Sequence, residues 1–169
     1  QIGGSVSGPG SLADAALVAR SVACMTTLNR RAAELMAETV EIHACTDVTG
    51  FGFLGHALEM AEGSGIGMRI RSAEVPHFKG IRPFVEEGLV PGGLIRNRKL
   101  REKQLDVGPG CPDWLIDILF DPQTAGGLLI SLPSEAAEGL LRKMHAAGIE
   151  EAAIVGEVIP APKGIIRVE

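Results

Sequence analysis

Between Gly127 and Pro133 the chain reads Leu-Leu-Ile-Ser-Leu, apolar at positions that an extended strand would point to both of its faces. Such a strand needs cover on both sides, which is the situation of a central strand in a layered protein. Pro133 and Ser134 then open a predicted helix that runs to about Ala147 and stops at Gly148. A second apolar strand follows over Ala153–Ile159, and Ile165–Val168 is expected to form a last edge strand. Upstream, the helical period returns over Leu12–Glu38, with a break near Thr26 or Thr27, either of which can cap the second piece. Val40, Ile42 and Ala44 alternate as a strand. Phe53, Leu54, Ala57, Leu58 and Ala61 keep helical spacing, with Gly63 as the stop. Met68 and Ile70 suggest a short strand, Pro83–Glu87 and Asp113–Phe120 short helices. The charged, aperiodic stretch between Val90 and Pro112 reads as a long surface loop with at most one helical turn.

Helices alternating with strands favour an α/β, α+β-layered fold: a mixed sheet flanked by helices. At 169 residues the chain suits one domain. Residues 1–11, rich in Gly and Ser, read as a linker, a ragged boundary or an expression scar, and residues 12–169 as the domain. Aromatic residues make up only 4% and tyrosine is absent, which suits closely packed layers and not an aromatic binding surface. A net charge of −5 argues against non-specific binding to nucleic acid or an anionic membrane. No apolar run approaches the ~18 residues that span a bilayer, and no signal-peptide pattern opens the chain, so the expectation is a soluble, cytoplasmic protein. Cys24, Cys45 and Cys111 lack any Cys-x-x-Cys spacing; they are expected to be reduced and mostly buried.

Two segments carry possible chemistry. The first, Cys45 to His56, is a strand ending in Asp47, then a turn holding Gly50, Gly52 and Gly55, then a helix. A carboxylate at the C-terminal end of a strand lies where open sheets bind ligands, and a hard carboxylate suits Mg²⁺. Asp47 can equally cap the turn, with the glycines only shaping it. The second segment is Asp121-Pro122-Gln123-Thr124-Ala125-Gly126-Gly127. Consecutive N–H groups at its end suit an anion nest, and a purely structural turn fits the same residues. Val90-Pro91-Gly92-Gly93 with Asn97 is a weaker signal. His56 is expected to form structural hydrogen bonds; His43, His77 and His145 to lie on the surface; the run Arg96–Lys103 to be a solvated face; and Trp114 to sit in the core. GxGxxG and Walker A patterns are both absent.

Taken together, ACTDVTGFGFLGHALEMAEGSG, VPGG with Asn97, and LFDPQTAGGLLISLP resemble the C-terminal, PurM-like domain of the selenophosphate synthetases, the selenide, water dikinases. The resemblance runs from about Met25 to the region of Gly156. Phe53 and Ala125 depart from it, where Leu and Ser are more usual. Cousins with the same two-domain plan include aminoimidazole ribonucleotide synthetase, formylglycinamide ribonucleotide synthetase, thiamine monophosphate kinase and the hydrogenase maturation protein HypE. The resemblance implies an ATP-dependent phosphotransferase that makes selenophosphate, AMP and phosphate from ATP, selenide and water with Mg²⁺. It implies a homodimer when full-length, and a partner in the preceding N-terminal domain, which holds the catalytic Cys or selenocysteine loop. Carried over by position, Asp47 matches the metal-binding aspartate. Gly50, Gly52, Thr124, Gly126 and Gly127 would face the nucleotide, and no catalytic residue falls in this chain. The alternatives are a scaffolding or regulatory module of the same fold, or the matching domain of a cousin enzyme.

Overall fold

The computed structural model describes residues 13–39 and 41–169; the expectations placed on residues 1–12 and on Val40 lie outside them. Helices are α1 (Ala15–Thr26), α2 (Arg30–Ala37), α3 (Gly52–Ser64), α4 (Arg82–Glu86), α5 (Gly92–Arg101), α6 (Asp113–Leu119) and α7 (Ser134–Ala146). Strands are β1 (Ala44–Asp47), β2 (Gly67–Ile70), β3 (Leu105–Val107), β4 (Leu128–Ser131), β5 (Gly156–Ile159) and β6 (Ile166–Val168). They form a mixed four-stranded sheet in the order β3-β6-β2-β5 and a separate antiparallel pair, β1 with β4. Within the larger sheet β6 runs parallel to both β3 and β2, and β5 runs antiparallel to β2.

Helix α3 is the hub. Phe53, Leu54, Gly55, His56, Ala57 and Leu58 are all buried, so the first half of the helix is covered all round, while in its second half Ala61 is buried and Glu59, Glu62, Gly63 and Ser64 are exposed. Its small residues let neighbours approach closely, and it packs on β1, β2, β6, α5 and α6. Leu54 and Leu58 are fully buried, each contributing about 1.5–3 kcal/mol of apolar burial. Gly65, at φ +64°, ends the helix two residues beyond the expected Gly63. The stop at Gly148 is as expected: its φ is +84°, and the Ile149 N–H reaches back to the Met144 carbonyl.

Several expectations need correction. Strand β4 is not the central strand of a sheet; it belongs to a two-stranded ribbon. Its two apolar faces are explained by two separate cores: Leu129 packs against the main cluster around α3, while Ile130 and Leu132 pack against Leu35, Leu140 and Met144 of α2 and α7. Strand β1 begins at Ala44, later than the Val40–Ala44 alternation suggested. The supposed loop 90–112 contains the ten-residue helix α5 and the strand β3. Finally, β6 is interior, between β3 and β2, not at an edge. The cysteines are free as expected, yet Cys24 and Cys45 are exposed and only Cys111 is half-buried. Burial pushes the thiols of Cys24 and Cys45 upward, and nearby Glu151 and Asp47 respectively add to the effect. Trp114 is half-buried at the rim of the main core, edge-on to His77.

Candidate functional site

The three sequence segments that stood apart in the chain interlock in space, mostly through main-chain atoms. Asp47 is the last residue of β1 and faces Leu128 of β4. Just beyond, the Val48 N–H donates to the Gly127 carbonyl (2.9 Å) and the Gln123 N–H to the Thr49 carbonyl (3.0 Å). Gly126 lies so close under Val48 that a Cβ would meet the Val48 carbonyl oxygen at 2.2 Å, and only glycine fits. Asn29, at the start of α2, donates its side-chain N–H to the Gly126 carbonyl (2.9 Å). The Asp47 turn and the Asp121–Gly127 turn are therefore one structural unit.

The third segment locks that unit from the side. Asn97 of α5 is 9% exposed, and its Nδ2 donates to the carbonyls of Gly50 (2.9 Å) and Phe120 (3.1 Å). Gly93 packs against the Pro122 ring, where a Cβ would come to 2.9 Å of Cγ. Gly52 sits at φ +72° with Phe120 main-chain atoms 2.6–2.9 Å from where its Cβ would be, and its N–H donates to the Thr49 carbonyl (3.0 Å). That gives Gly52 and Gly126 clear steric duties, while Gly50, Thr124 and Gly127 are exposed at the rim.

Inside the turn, His56 holds three groups. Its Nδ1 lies 3.0 Å from a Glu59 carboxylate oxygen; its Nε2 lies 3.1 Å from the Thr49 hydroxyl and 3.4 Å from the Phe51 N–H. The structural role expected of His56 is thus observed.

Asp47 itself is exposed, and among the described residues its carboxylate takes no hydrogen bond or ion pair. It does not cap the turn that follows. Nor does it belong to any group of three or more His, Cys, Asp or Glu side chains able to hold a metal among the described residues. One hard carboxylate, free of internal partners, fits a cation that takes its remaining ligands from elsewhere. Phe51, 51% exposed, and Leu28, 78% exposed, flank the same region, beside His56 and Asn29 respectively.

The basic stretch of α5 is only partly a solvated face. Arg98 reaches Asp113 (2.5 Å) and Asp117 (2.6 Å) on α6, and Arg101 pairs with Glu62 of α3 (3.0 Å). The guanidinium of Arg98 holds the Asp113 carboxyl below its ordinary range, and Arg98 itself is raised by the same pair of acids. Arg96, Lys99 and Lys103 are exposed. His43 and His145 lie on the surface as expected, and His77 is exposed while its ring rests on Trp114. The packing duties of Asn97 and Asn29 were not legible from spacing; a polar residue inside a helix without a capping position is the one hint that Asn97 offered.

Residues 9–169 match the family described as AIR synthase related protein, C-terminal domain, and the chain belongs to that family. Within it, the similarity is to selenide, water dikinases. The protein of that name from Pelobacter propionicus is 48% identical over 94% of this chain and 45% of its own length. Selenide, water dikinase 2 from Peptoclostridium acidaminophilum is 42% identical over 82% of this chain and 39% of its own. The chain thus spans less than half the length of these relatives. Among solved structures, a hydrogenase maturation protein HypE superposes with a TM-score of 0.58 at 20% identity, covering 89% of this chain and 43% of HypE. HypE in complex with ATP gives 0.54 at 23% identity over 85% of this chain and 37% of that protein. These two likenesses establish the fold. Among the described residues no helix is long and apolar enough to cross a membrane.

Proposed function

We propose that this chain is the C-terminal half of a cytoplasmic selenide, water dikinase. In that reading the whole protein is a homodimer that uses ATP and Mg²⁺ to convert selenide and water to selenophosphate, AMP and phosphate. Residues 12–169 form the domain; the preceding half supplies the reactive Cys or selenocysteine, the other metal ligands and most of the nucleotide site. One observation carries the reading: Asp47 stands exposed at the end of β1, without a hydrogen bond or ion pair to its carboxylate among the described residues, on a turn that Val48 and Gln123 hold through main-chain bonds and Asn97 through its side-chain amide. Asp47 would give one oxygen to Mg²⁺, which stabilises charge on the transferring phosphoryl group. The exposed rim at Gly50, Thr124 and Gly127, with Gly52 and Gly126 shaping the turns beneath, would form the wall facing the nucleotide. Phe51 and Leu28 would be covered by the preceding half. The ATP-bound HypE of the same fold supports nucleotide use by the superfamily.

Asp47→Asn decides between a ligand and a structural acid. An exposed carboxylate without internal partners contributes little to stability, so thermal melts of the present chain should shift by less than about 0.5 kcal/mol equivalent. In the complete enzyme the same change should weaken Mg²⁺–ATP use and cut selenophosphate formation, since the metal loses a ligand oxygen. A chain that loses several degrees while the complete mutant keeps normal turnover would make Asp47 structural and remove the metal assignment.

A further inference from the structure

We infer that His56, as the neutral Nδ1–H tautomer, is a positioning residue that sets the Thr49–Phe51 turn and with it the direction of Asp47; the link to Asp47 rests on the reading just proposed. The tautomer follows from the donors around the ring. A main-chain N–H can only donate, so the Phe51 N–H, 3.4 Å from Nε2, requires that nitrogen to accept. Nε2 therefore carries the lone pair, which the Thr49 hydroxyl at 3.1 Å shares. The ring proton is then on Nδ1, directed at the Glu59 carboxylate at 3.0 Å. A carboxylate behind a histidine fixes both ring orientation and tautomer, the arrangement usual where a histidine must hold a defined acceptor toward a site.

What the ring holds matters more than the ring. Thr49 is gripped at its hydroxyl by His56 and at its carbonyl by the N–H groups of Gly52 and Gln123, both at 3.0 Å. It stands two residues after Asp47. Val48, between them, is buried and tied to Gly127. With Val48 and Thr49 both fixed, the strand end has little freedom left, and the Cα–Cβ bond of Asp47 leaves it in one direction. His56 is 8% exposed and stands behind the turn, so it acts through Thr49 and Phe51 and not by touching a substrate.

The first test uses the chain itself, labelled with ¹⁵N. A two-bond ¹H–¹⁵N correlation at neutral pH should show the His56 Nδ1 pyrrole-like and Nε2 pyridine-like; the reverse pattern overturns the inference. Two substitutions then separate the ring's two ends. The amide oxygen of His56→Gln reaches the Nε2 position and can accept there, whereas His56→Asn fills only the Nδ1 position. The amide signals of Asp47, Thr49, Gly50 and Phe51 should stay near their parent positions in H56Q and be displaced in H56N. Equal displacement in both would reduce His56 to a space-filler and refute its acceptor role. If H56N does not fold, Glu59→Leu at an exposed position takes over: removing the acceptor of Nδ1–H should shift the ring toward the other tautomer and displace the same four signals, and unchanged spectra would overturn the inference. In the complete enzyme, H56N should lower kcat/KM for Mg²⁺–ATP by about 10–100-fold, with H56Q much nearer the parent. A complete parent protein that makes no selenophosphate would sink the proposed function and leave the tautomer and turn measurements standing on their own.

Discussion

Removing the side-chain amide of Asn97 should loosen the joint between the three segments by an amount the geometry sets. Its Nδ2 serves two carbonyls, Gly50 at 2.9 Å and Phe120 at 3.1 Å. Phe120 is fully buried, so in Asn97→Ala its carbonyl loses a donor that water does not easily replace, costing about 1–3 kcal/mol. Gly50 is exposed and its carbonyl can be hydrated, so that loss is nearer ~1 kcal/mol. The total, about 2–4 kcal/mol, corresponds to a fall in Tm of roughly 5–15 °C for a domain of this size. Asn97→Asp sharpens the test because it keeps the shape and removes only the donor. At neutral pH it would place a carboxylate against two carbonyl oxygens, and it should be at least as damaging as alanine. Burial and those oxygens raise the introduced carboxyl's pKa in the folded state. The penalty is therefore full above that raised value, is relieved as pH falls from there toward the ordinary carboxylate value of about 3.9, and is gone below it. Thermal unfolding followed by circular dichroism and by the single Trp114 gives the readout. An N97D chain as stable as the parent at pH 7 would show that the Asn97 amide is not the donor and that the joint is held elsewhere.

Gly52→Ala and Gly126→Ala should each destabilise the chain by about 3 kcal/mol or more in urea titrations. The first forces a side chain into a positive φ against Phe120, and the second into the Val48 carbonyl, whereas Gly63→Ala, which meets nothing within 4 Å, should be neutral or mildly stabilising. The Arg98–Asp113 pair predicts a pH dependence of its own. Since the folded-state pKa of Asp113 is lowered, its contribution is present above the ordinary carboxylate range and is lost as pH falls through the folded value. Comparing the parent with Asp113→Asn between pH 6 and pH 3, the two stability curves should converge on acidification; parallel curves would show that the pair contributes nothing. The chain alone, titrated with Mg²⁺ in a calorimeter, should show no saturable site, because Asp47 is unaccompanied by further ligands among the described residues.

What the sequence disclosed and what it withheld divide along physical lines. Helix α3 was legible because Leu54, Ala57, Leu58 and Ala61 are apolar at helical spacing and the cause of their burial is local. The Gly148 stop was legible for the same reason: only the backbone conformation of that residue is at issue. Helix α5 was missed since its buried residues are Leu94 and the polar Asn97, while its other large apolar residues, Ile95 and Leu100, are exposed among glycines and charges, which leaves no apolar stripe to count. The interior place of β6 depends on pairing with β2, almost a hundred residues earlier, and nothing in Ile166–Val168 encodes which strands will flank it. Strand β4 misled because two-sided burial identifies a strand with cover on both faces without saying whether the cover is two helical layers of one core or two separate cores. At the site, the segment types announced a special turn, whereas the partners of each glycine emerged only from the fold.

The joint among residues 47–52, 91–97 and 120–127 also governs how this domain can be recombined with others. It is built from main-chain carbonyls, the side-chain amides of Asn97 and, from the start of α2, Asn29, and glycines with no room for a Cβ. A swap of outward side chains, such as serine for Ala125, leaves it intact, while a splice that takes one turn from this chain and another from a distant cousin sets mismatched backbones against each other. Crossovers for chimaeras therefore belong outside the span from Asp47 to Gly127. The surface turn after α7, around Gly148, is the natural place, because cutting there moves β5 and β6 and leaves the three turns in the hands of a single parent.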